Sequence, residues 1–242
     1  VGMDLVELGV RRALVVTDSN LTRLAPVQTV LTALDAAGVE AVLYDRVRVE
    51  PTDVSFQDAI HFAAAHPVTG IVAVGGGSVI DTAKAVNLYT CYPPTDFLDY
   101  VNAPIGKAMP VPGPLKPLIA VPTTAGTGSE TTGVSIFDLT ALHAKTGIAH
   151  RALRPVMGIV DPDNTRTMPP MVAACSGFDI LCHAIESLTA LPYSERLAPD
   201  HPSARPAYQG SNPISEIWAS KALEMTAANI VQPGAQPPAL GQ

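Results

Sequence analysis

Three consecutive glycines at 75–77 stand between a short apolar run and a segment of helical character. The run at 71–74 is unbroken, which predicts a strand buried on both faces. Ser78 and Asp81 follow at the spacing of a capping box and predict a helix start. Glycine lets the backbone approach an anion, and a helix N-terminus presents N–H groups and the positive end of the dipole. The stretch predicts a phosphate-binding turn or a tight structural turn, since it matches neither Gly-x-Gly-x-x-Gly nor a P-loop.

Asp179 and His183 are the best candidates for metal ligands in the sequence. They stand four residues apart in a predicted helix, so both side chains lie on one face, one turn apart. A carboxylate and an imidazole could supply two ligands to a divalent transition metal. Taken alone, the pair is better explained as an Asp–His hydrogen bond on a helix surface, because two ligands do not make a site. The other histidines are expected on the surface or in loops: His61, His66, His143, His150 and His201.

Further candidate binding residues follow predicted strands, where parallel sheets hold their ligands. Asp18 could hydrogen-bond an adenosine ribose and repel a 2′-phosphate, favouring NAD over NADP, or it could be an ordinary cap at the end of its strand. Lys145 could reach a cofactor hydroxyl or be simply solvated. A second loop, rich in Gly, Thr and Ser, occupies 122–132 after the strand at 118–121. Neither a Ser–His–Asp nor a Cys–His nucleophile arrangement is recognisable in the sequence.

Alternating strands and helices in the first two thirds of the chain predict βαβ units and a mostly parallel sheet. The predicted strands are 13–17, 39–44, 71–74 and 118–121, with shorter segments at Ile148 and 159–160; the predicted helices are 24–37, 56–65, 172–190 and 211–230. Ser19 and Asn20 are candidate caps for the helix at 24–37. We therefore predict an α/β domain over 1–167, an all-helical domain over 168–230 and a disordered Pro/Gly-rich tail over 231–242.

The composition is that of a globular protein rather than a nucleic-acid or membrane binder. Of 242 residues, 47% are hydrophobic, and the net charge of −7 disfavours nucleic acid and anionic membranes as partners. We expect no apolar run of the roughly 20 residues that cross a membrane. Because the chain begins at Val1 rather than Met, we expect it to be a fragment whose targeting segment, if any, lies upstream.

Four blocks, in order along the chain, resemble the iron-containing (group III) alcohol dehydrogenase family. They are Gly75-Gly-Gly-Ser-Val-Ile-Asp81, Val121-Pro-Thr-Thr-Ala-Gly-Thr-Gly-Ser-Glu130, Asp161-Pro-x-x-Thr165 with Met168-Pro-Pro170, and Gly177-Phe-Asp-x-x-x-His-Ala-x-Glu186. Three further segments, 48–53, 96–107 and 205–215, resemble a mitochondrial hydroxyacid-oxoacid transhydrogenase branch of that family.

The resemblance implies a dehydroquinate synthase-like fold: a dinucleotide-binding α/β domain, then a helical domain, with the site in the cleft between them. It implies that NAD is held by Asp18, Gly75, Gly76, Gly77, Ser78, Asp81, Thr123, Thr124, Thr127, Ser129, Lys145 and Thr165. Asp179 and His183 would be the catalytic residues, as two of four ligands to iron or zinc. The metal would polarise the substrate alkoxide and favour departure of the hydride.

In that branch, 4-hydroxybutyrate is oxidised to succinate semialdehyde, and retained NADH then reduces 2-oxoglutarate to 2-hydroxyglutarate. The resemblance implies a mitochondrial location and leaves a homo-oligomer open. It places two more histidine ligands beyond the helix that begins near 211, where this chain enters its Pro/Gly tail. We therefore expect a truncated helical domain, an incomplete metal site, exposed apolar helix stripes and little or no activity. The alternatives are an alcohol dehydrogenase that releases NADH and a non-catalytic nucleotide-binding remnant.

Overall fold

The computed structural model describes residues 1–201, 205–206 and 208–230 and divides the chain into two compact units. Unit 1 comprises Val1–Thr123 and Gly128–Asn164; unit 2 comprises Thr124–Thr127 and Thr165–Gln242, as far as the latter is described. The chain thus passes between units close to the predicted boundary at 167–168, but four loop residues at 124–127 group with unit 2. The predicted tail at 231–242 lies outside the described residues.

Unit 1 is built on a five-stranded sheet in the order β2-β1-β3-β4-β7, and every pair in it is parallel. Its strands are β1 (Arg12–Val16), β2 (Glu40–Tyr44), β3 (Gly70–Gly75), β4 (Leu118–Pro122) and β7 (Met157–Gly158). Its helices are α1 (Gly2–Glu7), α2 (Ala25–Ala36), α3 (Asp53–Ala65) and α4 (Gly77–Cys91). The predicted α/β class with a mostly parallel sheet is confirmed.

The apolar runs of the central strands place side chains alternately on two buried faces. In β3, Val72 and Val74 pack with Val27 and Leu34 of α2, whereas Ile71 packs on the opposite face, among residues of α3 and α4. Because both faces of the strand are covered, an unbroken apolar run is favoured over alternation. The result is a three-layer core with the glycines at the exit of β3.

An antiparallel hairpin, β5 (Val134–Leu139) with β6 (Ala144–Ala149), packs beside α4 and makes a third apolar cluster. Phe137 and Ile148 of the hairpin are buried there with Leu88 of α4. The prediction of a strand at Ile148 is confirmed, but β5 was not predicted. The strand expected at 159–160 lies instead at Met157–Gly158, and Ile159 only donates its N–H to Ala120 O, at 2.8 Å.

The described part of unit 2 contains two α-helices, α5 (Pro170–Thr189) and α6 (Pro213–Asn229), that pack against each other. Both predicted helices are confirmed. Several large apolar side chains on them are exposed within the described residues, as we expected: Met171, Phe178, Ile185, Ile214, Ile217, Trp218 and Met225. On α6, the residue that is buried is Ala219.

By length and composition α5 would also suffice to cross a membrane, so the expectation that no segment approaches this length is wrong. One such helix does not establish a membrane span. This one carries Asp179, His183 and Glu186 from its middle onward.

Candidate nucleotide-binding and metal-binding residues

The glycine turn, which we define as Gly75–Ser78, lies where β3 passes into α4. Gly75 is the last residue of β3 and is in register with Pro122 of β4. Gly76 is the N-cap of α4 with extended backbone (φ −77°, ψ −172°), and no side chain caps the helix. The first turn of α4 therefore keeps backbone N–H groups directed away from the helix, as an anion site needs.

The predicted capping box of Ser78 and Asp81 is wrong. Because the glycines turn the chain so tightly, α4 already begins at Gly77, and Ser78 is its second residue rather than its cap. The Ser78 hydroxyl instead accepts a hydrogen bond from Glu50 N at 3.3 Å, which leaves its own hydrogen as a donor. Asp81 is drawn into contacts far along the chain, described below.

Lys145 lies close to the glycine turn through Glu50. Glu50 has a left-handed backbone (φ 55°) and gives its N–H to Ser78, while its carboxylate forms an ion pair with the Lys145 ammonium. Hydrogen bonding to Glu50 raises the pKa of Lys145. Both side chains are exposed, so the pair is open to exchange partners with a ligand.

Asp18 follows β1, the strand next to β3 in the sheet. Because the chain goes outward from β1 to β2 and returns past β1 to β3, the ends of β1 and β3 flank a topological switch point, the usual ligand crevice of such sheets. Thr17 ties the two strands together there by donating to Val74 O at 2.8 Å. Sequence reasoning did not single out Thr17.

The carboxylate of Asp18 caps its own turn. One of its oxygens, Oδ1, accepts from the backbone of Asn20 (2.8 Å) and of Leu21 (3.2 Å). The helix that follows begins only at Ala25, with Leu24 as its N-cap and no side-chain cap. Ser19 and Asn20 are therefore not its caps, contrary to the sequence-based expectation, because a full turn separates them from the helix.

The threonine loop, which we define as residues 123–129, begins beside the glycine turn. Thr123 is buried and donates its N–H to Gly75 O at 3.1 Å. At the other end of the loop Ser129 is also buried, and its hydroxyl donates to Asp81 Oδ1 at 2.5 Å. The structure thus brings Thr123, Ser129 and Asp81 together with the glycine turn inside unit 1.

Lys84 is fully buried, and its ammonium is surrounded by acceptors from one segment. It donates to Ser129 Oγ (2.7 Å), Thr132 Oγ1 (3.1 Å) and Val134 O (2.7 Å). Asp81 Oδ1 lies 3.4 Å from the same ammonium. Sequence reasoning missed Lys84 and Thr132 as site residues. The available signal was a lysine set among the apolar residues Ala83, Ala85 and Val86.

Burial governs the titration of this pair. Desolvation lowers the pKa of Lys84 and raises that of Asp81, while the attraction between the two charges opposes both shifts. Asp81 is further supported by Ile136 N, which donates to Oδ2 at 3.0 Å. An ion pair so enclosed contributes little net stability, but removing one partner alone leaves an uncompensated buried charge.

In unit 2, Asp179 and His183 face each other on α5, with Nε2 and Oδ1 3.7 Å apart. Both are substantially exposed, at 37% and 51% of the side chain for Asp179 and His183 respectively. The middle of the threonine loop lies against the same helix. A Cβ built on Gly126 would come within 3.2 Å of Asp179 Oδ2 and 3.1 Å of Ser176 Cα. Thr124 and Thr127 belong to this unit, as does Thr165, which ends a 3₁₀ turn (Pro162–Thr165).

The described residues do not complete a metal site. No group of three or more His, Cys, Asp or Glu side chains that could hold an ion occurs among them. Asp179 and His183 have the right chemistry and spacing for two ligands, but two protein ligands leave most of the coordination to water. A complete metal centre is not supported by this donor set.

Comparison with known proteins identifies the family of the chain. A family model described as "Iron-containing alcohol dehydrogenase" matches residues 1–162. The chain is 60% identical over 228 residues to the rat (Rattus norvegicus) protein named "Hydroxyacid-oxoacid transhydrogenase, mitochondrial". That alignment covers 94% of this chain and 49% of the rat protein, so the chain spans about half the length of the curated relatives it matches.

Solved structures agree with the α/β assignment. An iron-containing alcohol dehydrogenase from Thermococcus thioreducens superposes with a TM-score of 0.79 at 28% identity, covering 95% of this chain and 55% of that one. A sulfoacetaldehyde reductase from Bifidobacterium kashiwanohense, solved in complex with NAD+, gives a TM-score of 0.70 at 28% identity, covering 80% and 50% respectively.

Proposed function

The chain belongs to the iron-containing alcohol dehydrogenase family, and we propose that unit 1 binds NAD with the pyrophosphate on the glycine turn. The observation that carries this proposal is the N-terminus of α4, which starts from an extended Gly76, lacks a side-chain cap and lies at the switch point of the sheet. Such a site offers backbone N–H donors and a positive dipole end to an anion.

Different residues of unit 1 are proposed to contact different parts of the dinucleotide. We assign the pyrophosphate to Gly76, Gly77 and Ser78, whose hydroxyl hydrogen is left to donate. Asp18, across the switch point, would accept from a ribose hydroxyl with the carboxylate oxygen that its own turn does not use. Lys145 would leave Glu50 for a ribose hydroxyl. When bound, the nicotinamide would supply the acceptor and donor of a hydride.

The remaining loop residues are proposed as cofactor contacts on the strength of the resemblance. These are Gly75, Thr123, Thr124, Thr127, Ser129 and Thr165. Asp81 is assigned a supporting role, because both its oxygens already accept hydrogen bonds from Ser129 and Ile136. Asp179 and His183 are proposed as two ligands of iron or zinc.

For the reaction, we propose hydride exchange between a small hydroxy acid and a small oxo acid, as the names of its relatives indicate. By resemblance the pair is 4-hydroxybutyrate, oxidised to succinate semialdehyde, and 2-oxoglutarate, reduced to 2-hydroxyglutarate. The location would be mitochondrial, as the same names state. A non-catalytic nucleotide-binding protein is the second candidate, favoured by the lack of a complete metal-ligand group among the described residues.

Adding a negative charge at the glycine turn tests the binding proposal. Ser78→Asp places a carboxylate where the pyrophosphate would sit, while the dipole of α4 tolerates or favours that charge. The matched control is Ala25→Asp, which adds the same charge to the first residue of α2, where it is exposed. We expect Ser78→Asp to weaken NAD binding at least tenfold by calorimetry, with the control unchanged. Equal affinity in both variants would refute this location.

Label transfer distinguishes the candidate functions. With [4-²H]-4-hydroxybutyrate, 2-oxoglutarate and catalytic NAD, the transhydrogenase proposal predicts deuterium in 2-hydroxyglutarate and no NADH in solution. The amount of labelled product should be small, because the described residues do not complete a metal site. Steady NADH production without an oxo acid would indicate an ordinary alcohol dehydrogenase. NAD binding without either product, with iron or zinc supplied, would favour the non-catalytic candidate.

A further inference from the structure

The buried ammonium of Lys84 links two loops, and the proposed NAD site depends on their positions relative to each other. One loop is the glycine turn, which lies two helical turns before Lys84 on the same rigid helix. The other is the threonine loop, whose last residue, Ser129, accepts from Lys84 at 2.7 Å. The Cβ of a helical residue points towards the N-terminus, so Lys84 reaches back along α4 in the direction of the turn.

The network is closed, so Lys84 has no donor to offer a ligand. An ammonium has three hydrogens, and three close oxygens meet it, those of Ser129, Thr132 and Val134. Its side chain is 0% exposed. A role as a direct contact to the cofactor is therefore ruled out by geometry, and the lysine acts through the residues it holds.

Asp81 holds the same segment from one turn earlier on α4. Its two carboxylate oxygens accept from Ser129 Oγ and Ile136 N, and its backbone carbonyl accepts from Ser135 Oγ at 2.8 Å. Residues 129–136 are thus fastened to the helix by the side chains of one ion pair. At the opposite end of the threonine loop, Thr123 is fastened to Gly75 by a backbone hydrogen bond.

We propose that Lys84 is a positioning residue for the nucleotide: with Asp81, it fixes the Ser129 end of the threonine loop relative to the glycine turn at the N-terminus of α4. This inference rests on the proposed binding of NAD to unit 1. It predicts that losing the pair damages nucleotide affinity even in a variant whose stability is preserved.

The test separates positioning from folding by removing both charges together. Lys84→Met alone leaves Asp81 buried without its counter-charge and should lower stability and affinity together. The double variant Asp81→Asn with Lys84→Met has no buried charge and should recover most of the lost melting temperature. We expect its NAD affinity to stay at least tenfold below wild type. Lys116→Met is the matched control, since Lys116 bonds to Thr90 near the other end of α4.

A stable double variant that binds NAD within twofold of wild type would overturn the inference. If the double variant does not fold, Thr132→Val takes its place, because it removes one acceptor of Lys84 and keeps a β-branched side chain of similar size. A threefold weaker affinity at unchanged melting temperature is then expected, and unchanged affinity would overturn the inference. If wild type itself fails to bind NAD, it is the proposed function that fails, which the wild-type titration shows separately.

Discussion

Adding a methyl group at Gly75 should strain the junction between β3 and α4. A Cβ on Gly75 would lie 2.5 Å from Val79 Cγ2 and 2.7 Å from Val79 Cβ, whereas carbon atoms in contact are normally about 3.5–4 Å apart. Val79 belongs to the first turn of α4, is 2% exposed and packs into the core against the sheet, so it has little room to move. Overpacking of this kind costs about 1–3 kcal/mol.

We therefore expect Gly75→Ala to lower the free energy of unfolding by about 2 kcal/mol. For a chain of this size, that corresponds to a fall in melting temperature of about 4–8 °C. Urea unfolding followed by circular dichroism measures the first quantity, and a thermal scan measures the second. The loss is large against the 5–15 kcal/mol of a typical domain.

Truncating the neighbour supplies the decisive control. Val79→Ala alone removes buried methyl groups and should itself destabilise the protein. In the double variant Gly75→Ala with Val79→Ala, the new methyl occupies space that Val79 vacated, so the two losses should not add. A coupling of at least about 1 kcal/mol is expected, as for residues in direct contact. Gly75→Ala as stable as wild type, or strictly additive losses, would refute the steric argument.

Three further predictions concern other parts of the molecule. Thr52 forms a capping box at the start of α3, so Thr52→Ala should cost about 1 kcal/mol of unfolding free energy in urea titrations, while Thr52→Ser should cost much less. Burial lowers the pKa of His150, whose Nδ1 accepts a hydrogen bond from Ala152 N. The stabilising contribution of neutral His150 should therefore be complete above the pKa of histidine in the unfolded chain, about 6.5, and should decline as the pH falls below that pKa. His150→Asn keeps an acceptor but cannot titrate, so its unfolding free energy should fall less between pH 7.5 and 5.5 than that of wild type; an equal fall would contradict this. Because Asp179 and His183 are the only neighbouring ligands among the described residues, the chain should retain less than one equivalent of Zn²⁺ through gel filtration. One tightly held ion that is lost in Asp179→Ala would show that the site has further ligands.

The elements of unit 1 were predictable because burial on both faces leaves a local trace in the sequence. The apolar run at 71–74, ended by three glycines, marks both β3 and the start of α4 without any knowledge of the fold. Of the hairpin β5–β6, only the strand at Ile148 was predicted. Val134–Leu139 was not predicted, because it is a short strand whose register depends on a partner and on packing against α4. The period of such a short segment does not decide its pairing.

The candidate site was predictable where a residue acts through the backbone, and not where it acts through distant partners. The glycine turn between β3 and α4 was predictable from the three consecutive glycines, although the helix was predicted with a side-chain cap and has none. By contrast, Asp81 looked like a helix cap because Ser78 stands three residues before it, but its partner Ser129 is 48 residues away. Lys84 was overlooked for the same reason: its apolar neighbours on the helix hint at burial, but the loop oxygens that enclose it lie about 45–50 residues further along the chain.

The most direct measurement of the central claim is a titration of the ¹⁵N-glycine-labelled chain with NAD, followed by NMR. If the pyrophosphate sits on the N-terminus of α4, the amide resonances of Gly76 and Gly77 shift with NAD, since their N–H groups become donors to phosphate oxygens. Gly9 and Gly38, in left-handed turns after α1 and α2, provide internal references that should stay unchanged. Saturable NAD binding that leaves Gly76 and Gly77 unmoved would contradict the account.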